Sequence, residues 1–384
     1  MKTSSTIGPQ TLIFCLVSAA FTTIYITQPV LPVLQTEFSV NETRASLSIS
    51  AVIFGIALGN LPFGMMADRY KVRPIIVVGG SVIITCLLVS AFTGNFILLV
   101  LARFIQGLFI PSLTTCLAAY LARSLPTERL NVVMGSYVSA TVAGGLAGRL
   151  LGGWIHPPLH WRYAFVSASV LLLAAILVAV HGLPHEERSN QTGVETVGFI
   201  ALLSRWDLLL IYSVGFGAFF VFSSIFNYLP FYLAAPPFNA TTQFITLMYL
   251  SYIIGIFIGP IAGVISNRIG NGATMTLGSI LFASAISATL VKSMLAIMAS
   301  LVGVCAGFFA IHASAVGSLN RRLISSRGRA NSLYVLFYYL GGSLGITASG
   351  YAYLFAGWPG VVVLGIFVLL LPFFAGITGK KWGA

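Results

Sequence analysis

Two arginines interrupt apolar runs that are otherwise long enough to cross a membrane. Arg103 lies within residues 96–121 and Arg149 within residues 130–155. An arginine near the centre of a bilayer costs about 2.5–3.5 kcal/mol on insertion scales, so it needs a partner. The apolar runs contain no Asp or Glu. The possible partners of the two arginines are therefore backbone carbonyls, water or an anion. We therefore expect a cationic subsite that binds a carboxylate or phosphate through paired hydrogen bonds; the alternative is that both side chains extend to the membrane surface.

Other patterns that could carry chemistry are few. His312, in the run 295–319, is a candidate proton site because histidine titrates near neutral pH, although a lone histidine on an apolar helix is more often a core residue. The four cysteines lie inside apolar runs without a CxxC spacing, which predicts neither a zinc site nor disulfides. HExxH, GxSxG and GxxxxGK[ST] patterns do not occur. We therefore expect no enzyme, no metal, no cofactor and no drive by ATP.

The elements that must position these residues are membrane spans. Of the 384 residues, 58% are hydrophobic and 7% are charged, whereas soluble domains carry about 25% charged residues. This composition excludes a soluble protein, and twelve spans of about 20 residues fit the length. The predicted spans 1 to 12 are residues 11–34, 45–67, 74–92, 96–121, 130–155, 163–183, 208–233, 244–266, 272–291, 295–319, 330–355 and 360–377.

The basic residues indicate how the spans are oriented. The net charge is +12, and with a cytoplasmic N-terminus fifteen Lys and Arg fall in inner segments and three in outer segments. Such an excess is typical of cytoplasmic loops. The charges stand singly and form no patch for nucleic acid. We expect a multi-pass protein of a cell membrane, favouring a bacterial inner membrane, with both termini in the cytoplasm.

The two halves of the sequence repeat each other at offsets of 197 to 200 residues. The matched pairs are Gly64-x3-Asp68-Arg69 with Gly263-x3-Asn267-Arg268, Gly107 with Gly307, Gly144-Gly-x2-Gly148 with Gly341-Gly-x2-Gly345, Trp161 with Trp358, and Pro32 with Pro230. Because each half has six spans, the repeats share one orientation and are related by an axis along the membrane normal. The two tryptophans are expected to anchor at the outer membrane interface.

Several motifs, taken in order, resemble the major facilitator superfamily. Residues 64–73, GMMADRYKVR, are similar to its G-x-x-x-D-R-x-G-R-R loop, and Arg103-x-x-Gln106-Gly is similar to its R-x-x-Q-G signature. Span 5 carries the glycines of the G-x8-G-x3-G-P-x2-G-G motif of the drug:proton antiporters, with Arg149 in place of the proline. These glycines are Gly135, Gly144, Gly148, Gly152 and Gly153.

The resemblance implies an all-α membrane protein with twelve transmembrane helices in two pseudo-symmetric six-helix bundles. The expected bundles are residues 1–184 and 207–384, joined by a cytoplasmic linker of residues 185–206. It also implies a conformational latch at the inner end of span 2. The latch residues are Gly64, Asp68, Arg69 and Arg73, with Arg129 as the candidate basic partner of Asp68.

In this fold spans 1, 4, 7 and 10 line the central path, which gives the candidate substrate site. Its residues are Arg103, Arg149, Tyr25, Gln28, Gln106, Phe216, Phe220, Asn227, Tyr228 and His312. The resemblance implies a proton-coupled exporter that works by alternating access, as a monomer. Because no acid lies within the spans, we favour small amphipathic organic anions as substrates. The alternatives are an importer or exchanger of anionic nutrients, or a lysolipid transporter.

Overall fold

Apolar helices follow one another along the chain, which the computed structural model describes over residues 8–124, 127–183, 198–323 and 327–379. The first half contains α1 (Pro9–Thr22), α2 (Leu31–Glu37), α3 (Glu42–Ala45), α4 (Leu47–Arg69), α5 (Val72–Phe92), α6 (Phe96–Leu113), α7 (Thr115–Ser124), α8 (Thr127–Ile155) and α9 (Arg162–Gly182). The second half contains α10 (Phe199–Leu203), α11 (Trp206–Ala234), α12 (Thr242–Met248), α13 (Ile254–Ile269), α14 (Asn271–Ala288), α15 (Met294–Arg321) and α16 (Arg327–Gly379). Over these residues the structure is all-helical.

Eight helical runs of the described residues are long and apolar enough to cross a membrane. The last of them covers 51 residues, because α16 joins predicted spans 11 and 12. Gly357 divides α16 with a non-helical backbone at φ 61°, ψ −150°, a left-handed region that favours glycine. The arrangement is consistent with the predicted twelve spans.

Predicted span 1 is not one helix. α1 ends at Thr22, a 3₁₀ turn covers Gln28–Val30, and α2 begins at Leu31. Pro29 and Pro32 lie in the first turns after the break, and proline cannot donate the backbone hydrogen bond that a continuous helix needs. The interrupted segment, defined as residues 23–30, therefore exposes backbone carbonyls in the middle of the bundle.

Predicted span 8 is interrupted in the same way. A 3₁₀ turn, Tyr249–Ile253, connects α12 to α13. Residues three apart lie nearly above one another in a 3₁₀ helix. Tyr249 and Tyr252 are three residues apart and are both buried, so the turn presents two phenol rings on one side.

Glycines give the two halves equivalent helix pairs. A methyl group at Gly144, Gly148 or Gly152 of α8 would collide with a carbonyl of α1 or the segment after it, at Ser18, Thr22 or Ile26 respectively. In the second half Gly341 and Gly345 of α16 press against the carbonyls of Phe216 and Phe220 in α11. Small residues allow such close backbone contact in lipid, where no hydrophobic force drives helices together.

Not every repeated residue has an equivalent environment. Gly107 packs on the Val52 carbonyl of α4, whereas Gly307 packs on the Gly278 carbonyl of α14. The prediction that Trp161 and Trp358 anchor at the membrane interface is wrong, because only 1% and 2% of their surfaces are exposed. Each indole is buried and donates a hydrogen bond inside its own half, to Glu37 and Thr289 respectively.

The helices of each half pack mainly on one another, and α4 with α16 and α8 with α12 form the main contacts between halves. The predicted linker, residues 185–206, overlaps residues 184–197, which lie outside the described part of the chain. The bounds of the two bundles therefore stay a prediction.

Candidate functional site

Arg103 is completely buried and surrounded by backbone carbonyls. Its Nε donates to the Ser48 carbonyl at 3.0 Å, its Nη1 to the Thr23 carbonyl at 2.8 Å, and its Nη2 to the Ile24 carbonyl. The same Nη1 also donates to Gln106 Oε1 at 2.6 Å. These acceptors include the carbonyls that the break in span 1 releases. The contacts support a role for Arg103 in fixing the interrupted segment rather than in contacting a ligand.

Gln106 completes the same network. Its Nε2 donates to Thr23 Oγ1 at 2.8 Å and to the Thr23 carbonyl at 3.2 Å. Gln106 is fully buried. The predicted pair of Arg103 and Gln106 therefore lies together, on the side of the interrupted segment that faces α6.

Arg149 lies on the other side of the interrupted segment, between the two halves. Its Nε donates to Gln28 Oε1 at 2.7 Å, its Nη1 to the Gly145 carbonyl at 2.8 Å, and its Nη2 to the hydroxyl of Tyr252 at 2.9 Å. The guanidinium carbon lies 3.8 Å from the ring centroid of Tyr25 and 4.2 Å from that of Tyr252. Attraction between a cation and aromatic faces partly replaces the lost hydration.

No carboxylate contacts Arg149 among the described residues. Each terminal nitrogen of its guanidinium group carries two N–H bonds and donates one of them in these contacts. The Tyr25 side chain makes a further hydrogen bond with the guanidinium group. A carboxylate can bind a guanidinium group with two parallel hydrogen bonds, and it would supply the negative charge that these neutral acceptors lack.

A row of aromatic rings leads away from Arg149 into the second half. Tyr252 contacts Phe222 with ring centroids 5.2 Å apart, and Phe222 stacks on Phe308 at 3.8 Å. The ring of Phe308 lies 6.0 Å from that of His312. The His312 Nδ1 is 2.9 Å from the Tyr334 hydroxyl. A ligand that reached from Arg149 to His312 would meet mostly carbon on the way.

The candidates in α11 separate into two groups. The ring centroids of Phe216 and Phe220 lie 6.1 Å apart. The backbone carbonyls of the two residues pack on the glycines of α16. Asn227 and Tyr228 are fully buried and do not face the aromatic row. Asn227 Nδ2 donates to Ser46 Oγ at 2.7 Å, and the Tyr228 hydroxyl donates to the Ile346 carbonyl at 3.0 Å.

The bond from Asn227 to Ser46 is part of a contact between the halves at the predicted outer side, which we call the outer contact layer. It also includes Gly153, where a methyl group would collide with Thr246. Its third contact is at Gly350, where a methyl group would lie 2.6 Å from Thr43 Cγ2. The span 5 glycines therefore have two tasks, since Gly144, Gly148 and Gly152 hold the first half together and Gly153 contacts the second half.

The predicted latch is described only in part. A methyl group at Gly64 would lie 3.9 Å from Ser332 Oγ in α16. Arg69 is exposed, and Arg73 donates to the Leu183 carbonyl at the end of α9. The side chains of Asp68 and Arg129, and the surroundings of Gly135, lie outside the described residues. Pairing of Asp68 with Arg129 stays a prediction.

Sequence reasoning misses Tyr249 and Tyr252 as part of the site. Their spacing of three in an apolar run is the available signal, but it also fits ordinary core packing. The ring centroid of Tyr249 lies 5.5 Å from the Arg149 guanidinium carbon. Only the packing of span 8 against span 5 shows that the two phenols face the arginine.

Comparisons with known proteins agree with the fold. The family model described as Major Facilitator Superfamily matches residues 13–284. The inner membrane transport protein YnfM of Escherichia coli (strain K12) is 29% identical over 94% of this chain and 87% of its own length. A cis,cis-muconate transport protein of Acinetobacter baylyi is 25% identical over 64% of this chain and 63% of its own length.

A solved structure shows the same architecture over almost the whole chain. A mutant of the nucleoside transporter NupG superposes with a TM-score of 0.79 at 13% sequence identity, covering 97% of this chain and 99% of NupG. At this identity the likeness concerns the fold alone. The family match over most of the chain, together with the named transporters among its relatives, shows that this multi-pass membrane protein belongs to the major facilitator superfamily and is a secondary transporter rather than an enzyme.

Proposed function

We propose that the protein is a proton-coupled exporter of small amphipathic organic anions, and that Arg149 binds their carboxylate. The observation that carries this proposal is the setting of Arg149, a buried cation between the halves whose acceptors among the described residues are neutral amide, carbonyl and hydroxyl oxygens. A bound carboxylate would accept two hydrogen bonds from the guanidinium group, in place of tyrosine hydroxyls, and neutralise the charge. The aromatic row beside it would hold the apolar part of the substrate.

The position of Arg149 suits alternating access. Its hydrogen bonds reach Gln28 in the first half and Tyr252 in the second. A ligand shifts a conformational equilibrium only by binding one state more tightly than the other. A carboxylate on Arg149 would compete with the Tyr252 hydroxyl, so its binding would change the contact between the halves. Transport follows when both states bind the anion and expose it to opposite sides.

Two further observations support the substrate class and the direction. One relative is named for the transport of cis,cis-muconate, an organic anion. The span 5 glycines resemble those of the drug:proton antiporters, and three of them form the close contact of α8 with α1 and the segment after it. We propose on this basis that the monomer works as an antiporter in a bacterial inner membrane, with both termini in the cytoplasm.

His312 is the proposed proton site. It is the titratable histidine in the aromatic row, and its Nδ1 contacts the Tyr334 hydroxyl. Histidine exchanges a proton near neutral pH more readily than any other side chain. A proton on His312 and an anion on Arg149 would occupy opposite ends of the same row, so the two could be exchanged in separate steps.

Transport into vesicles of defined orientation tests the proposal. Purified protein in proteoliposomes is given labelled 4-phenylbutyrate or cis,cis-muconate, with the neutral amide 4-phenylbutyramide as the matched compound. We expect a pH gradient to drive both anions, but not the amide, in the export direction. Arg149→Gln should remove the difference in transport between the acids and the amide, and Arg149→Lys should retain part of that difference. The outer-surface variant Arg44→Gln should transport all three compounds as the wild type does.

The remaining outcomes discriminate between the components of the proposal. Equal handling of acid and amide by the wild type would overturn the anion subsite. Accumulation of the anion in the import direction would favour a nutrient importer with the same site. Anion transport that responds to the pH gradient in His312→Gln as in the wild type would exclude His312 as the proton site. Transport of lysolipid alone would favour the lysolipid alternative.

A further inference from the structure

A groove on the membrane-facing surface separates α11 from the part of α16 that follows Gly357. Its volume is about 520 Å³. The residues that line it are Trp206, Leu210, Ser213, Phe367, Val368, Leu370, Leu371, Phe374, Ala375 and Thr378. The helices approach each other at Gly217, where a methyl group would lie 3.4 Å from Leu371 Cδ1. The groove lies along the halves of these two helices that are nearer to the predicted cytoplasmic surface, and Trp206 marks its cytoplasmic end, which we call its mouth.

The lining of the groove is suited to hydrocarbon. Phe367 and Phe374 are exposed, although such rings would be covered in a soluble protein. The two hydroxyl groups already have partners, since Ser213 Oγ donates to the Leu210 carbonyl at 2.8 Å and Thr378 Oγ1 to the Phe374 carbonyl at 2.9 Å. Neither hydroxyl therefore requires a polar ligand. A void in a bilayer loses the dispersion contacts of its walls, which an acyl chain would restore.

The mouth of the groove is positively charged. Trp206 stands between Arg205 and Asp207 at the first turn of α11. Arg205 Nε and Nη2 donate to the Asp207 carboxylate at 3.1 and 2.7 Å, and Arg322 Nη1 donates to the Asp207 carbonyl at 3.1 Å. Two arginines and one aspartate leave an excess of one positive charge. In the described residues Arg205 Nη1 and Arg322 Nη2 have no acceptor.

We propose that this groove binds one anionic phospholipid of the cytoplasmic leaflet, with an acyl chain against α16 and the phosphate on Arg205 and Arg322. The apolar lining is suited to the acyl chain of the lipid. The excess positive charge at the mouth favours an anionic head group. A zwitterionic head group fits less well, because the carboxylate that its amine would contact is already bonded to Arg205. Basic residues at this depth attract anionic lipids, and a neighbouring tryptophan is typical of the head-group level.

Fluorescence quenching by brominated lipids tests the site on the full-length protein. The signal of Trp206 is the difference between each protein and the same protein with Trp206→Phe. Phosphatidylglycerol and phosphatidylcholine with identical brominated chains are titrated in separate bilayers. We expect Trp206 to select phosphatidylglycerol by about fivefold, the effect of one surface charge. Arg205→Gln should reduce the ratio to near one, Arg205→Lys should retain it, and Arg44→Gln on the opposite side should not change it.

Filling the groove tests the position of the acyl chain. Ser213→Phe places a ring in the groove, so quenching of Trp206 should fall with both lipids, while its unfolding temperature shows that the protein is folded. Equal quenching by both lipids in the wild type would overturn the selective site. A fivefold ratio that survives Arg205→Gln, or quenching that survives Ser213→Phe unchanged, would equally overturn it. None of these outcomes depends on the transported substrate.

Discussion

At the scale of single residues, the interrupted segment of span 1 lies between two arginines with different surroundings. Arg103 uses its donors on carbonyls of the segment, whereas Arg149 contacts the side chains of Tyr25 and Gln28 and the hydroxyl of Tyr252. The sequence predicts both as membrane-embedded cations that need a partner. The sequence does not predict which arginine donates to backbone carbonyls, because the break at residues 23–30 supplies those carbonyls.

Replacing Arg103 should destabilise the protein without changing what it selects. Arg103→Gln removes the side-chain donor of the Ile24 carbonyl and leaves the Thr23 carbonyl with Gln106 as its side-chain donor, and an unsatisfied buried group costs about 1–3 kcal/mol. We expect the unfolding temperature to fall by several degrees, and every carboxylate of a test panel to bind more weakly by a similar factor. Thermal unfolding with and without ligand measures both effects. Loss of the acid-over-amide preference, as expected for Arg149→Gln, would instead make Arg103 a ligand-binding residue.

Glu37 gives the predicted outer surface a pH-dependent contact. Burial disfavours its charge, but hydrogen bonds from Trp161 and Arg162 and the charge of Arg162 outweigh it, so the pKa of Glu37 is lowered from its ordinary 4.5. A lowered carboxyl pKa contributes stability above the ordinary value and loses it as the pH falls through the folded-state pKa. Glu37→Gln should therefore lower the unfolding temperature at pH 7 by a few degrees, and this difference should shrink below pH 4.5.

Thermal unfolding from pH 7 down to pH 3 measures that difference. Glu42→Gln is the control, because Glu42 accepts one hydrogen bond from Gln35 at 3.0 Å and has no ion pair among the described contacts. A difference between wild type and Glu37→Gln that stays constant over the whole pH range would contradict this account.

At the scale of helices, both halves contain a pair of helices whose backbones are in close contact. Span 1 meets span 5, and span 7 meets span 11, through glycines that lie against carbonyls four residues apart. The repeated Gly-Gly-x2-Gly pattern predicts this contact. It does not predict the breaks in spans 1 and 8, because hydropathy reports burial in lipid and not backbone continuity. Pro29 and Pro32 are the local signal in span 1, whereas the Tyr249–Ile253 turn has no comparable one.

A pair of alanine substitutions measures how much the close contact matters. Gly148→Ala places a methyl group against the Thr22 carbonyl, so α1 and α8 must separate. Overpacking of this kind costs about 1–3 kcal/mol or more. Gly259→Ala in α13 is the matched control, because a methyl group there meets nothing within 4 Å and alanine stabilises a helix by about 0.5–1 kcal/mol over glycine.

The yield of folded protein by size-exclusion chromatography and the unfolding temperature are the measurements. We expect both to fall for Gly148→Ala and to stay equal or rise for Gly259→Ala. Equal behaviour of the two variants would mean that the helices adjust to the methyl group without loss.

At the scale of the whole molecule, polar and close-packed contacts join the two halves at the predicted outer side. The outer contact layer joins the halves at Asn227 with Ser46 and at Gly153 with Thr246. Arg149 adds a hydrogen bond to Tyr252 deeper in the membrane. Sequence reasoning assigns Asn227 to the substrate path. Its burial in a contact near the outer end of α11 cannot be read from that helix alone, since it depends on where the other half lies.

Removal of one hydroxyl should shift the balance between closed and open states. Tyr252→Phe keeps the ring over Arg149 but loses the hydrogen bond between the halves. Hydrogen bonds to charged groups contribute about 1.5–3 kcal/mol, so the open state should gain at least about tenfold in population. Thr246→Cys in a Cys15→Ser background reports opening through its reaction with a membrane-impermeant maleimide.

We expect Tyr252→Phe to raise the labelling rate of the cysteine introduced at position 246 by about tenfold over the same background with Tyr252 intact. Phe238→Leu, a change in the loop after α11, serves as a control for general loosening and should leave the rate unchanged. An unchanged rate in Tyr252→Phe would show that the Arg149 bond does not hold the halves together.

The polar contacts between the halves have a consequence for how the transporter responds to its surroundings. Ser46, Ser50 and Ser332 each accept a hydrogen bond from a neutral side chain of the opposite half, and the Arg149 bond ends on a phenol. The ion pairs of Glu37 lie within the first half, and those of Asp207 lie within the second half. Dissolved salt screens charge–charge attraction but has little effect on neutral hydrogen bonds. The strength of these neutral contacts should therefore be the same in dilute and in saline surroundings.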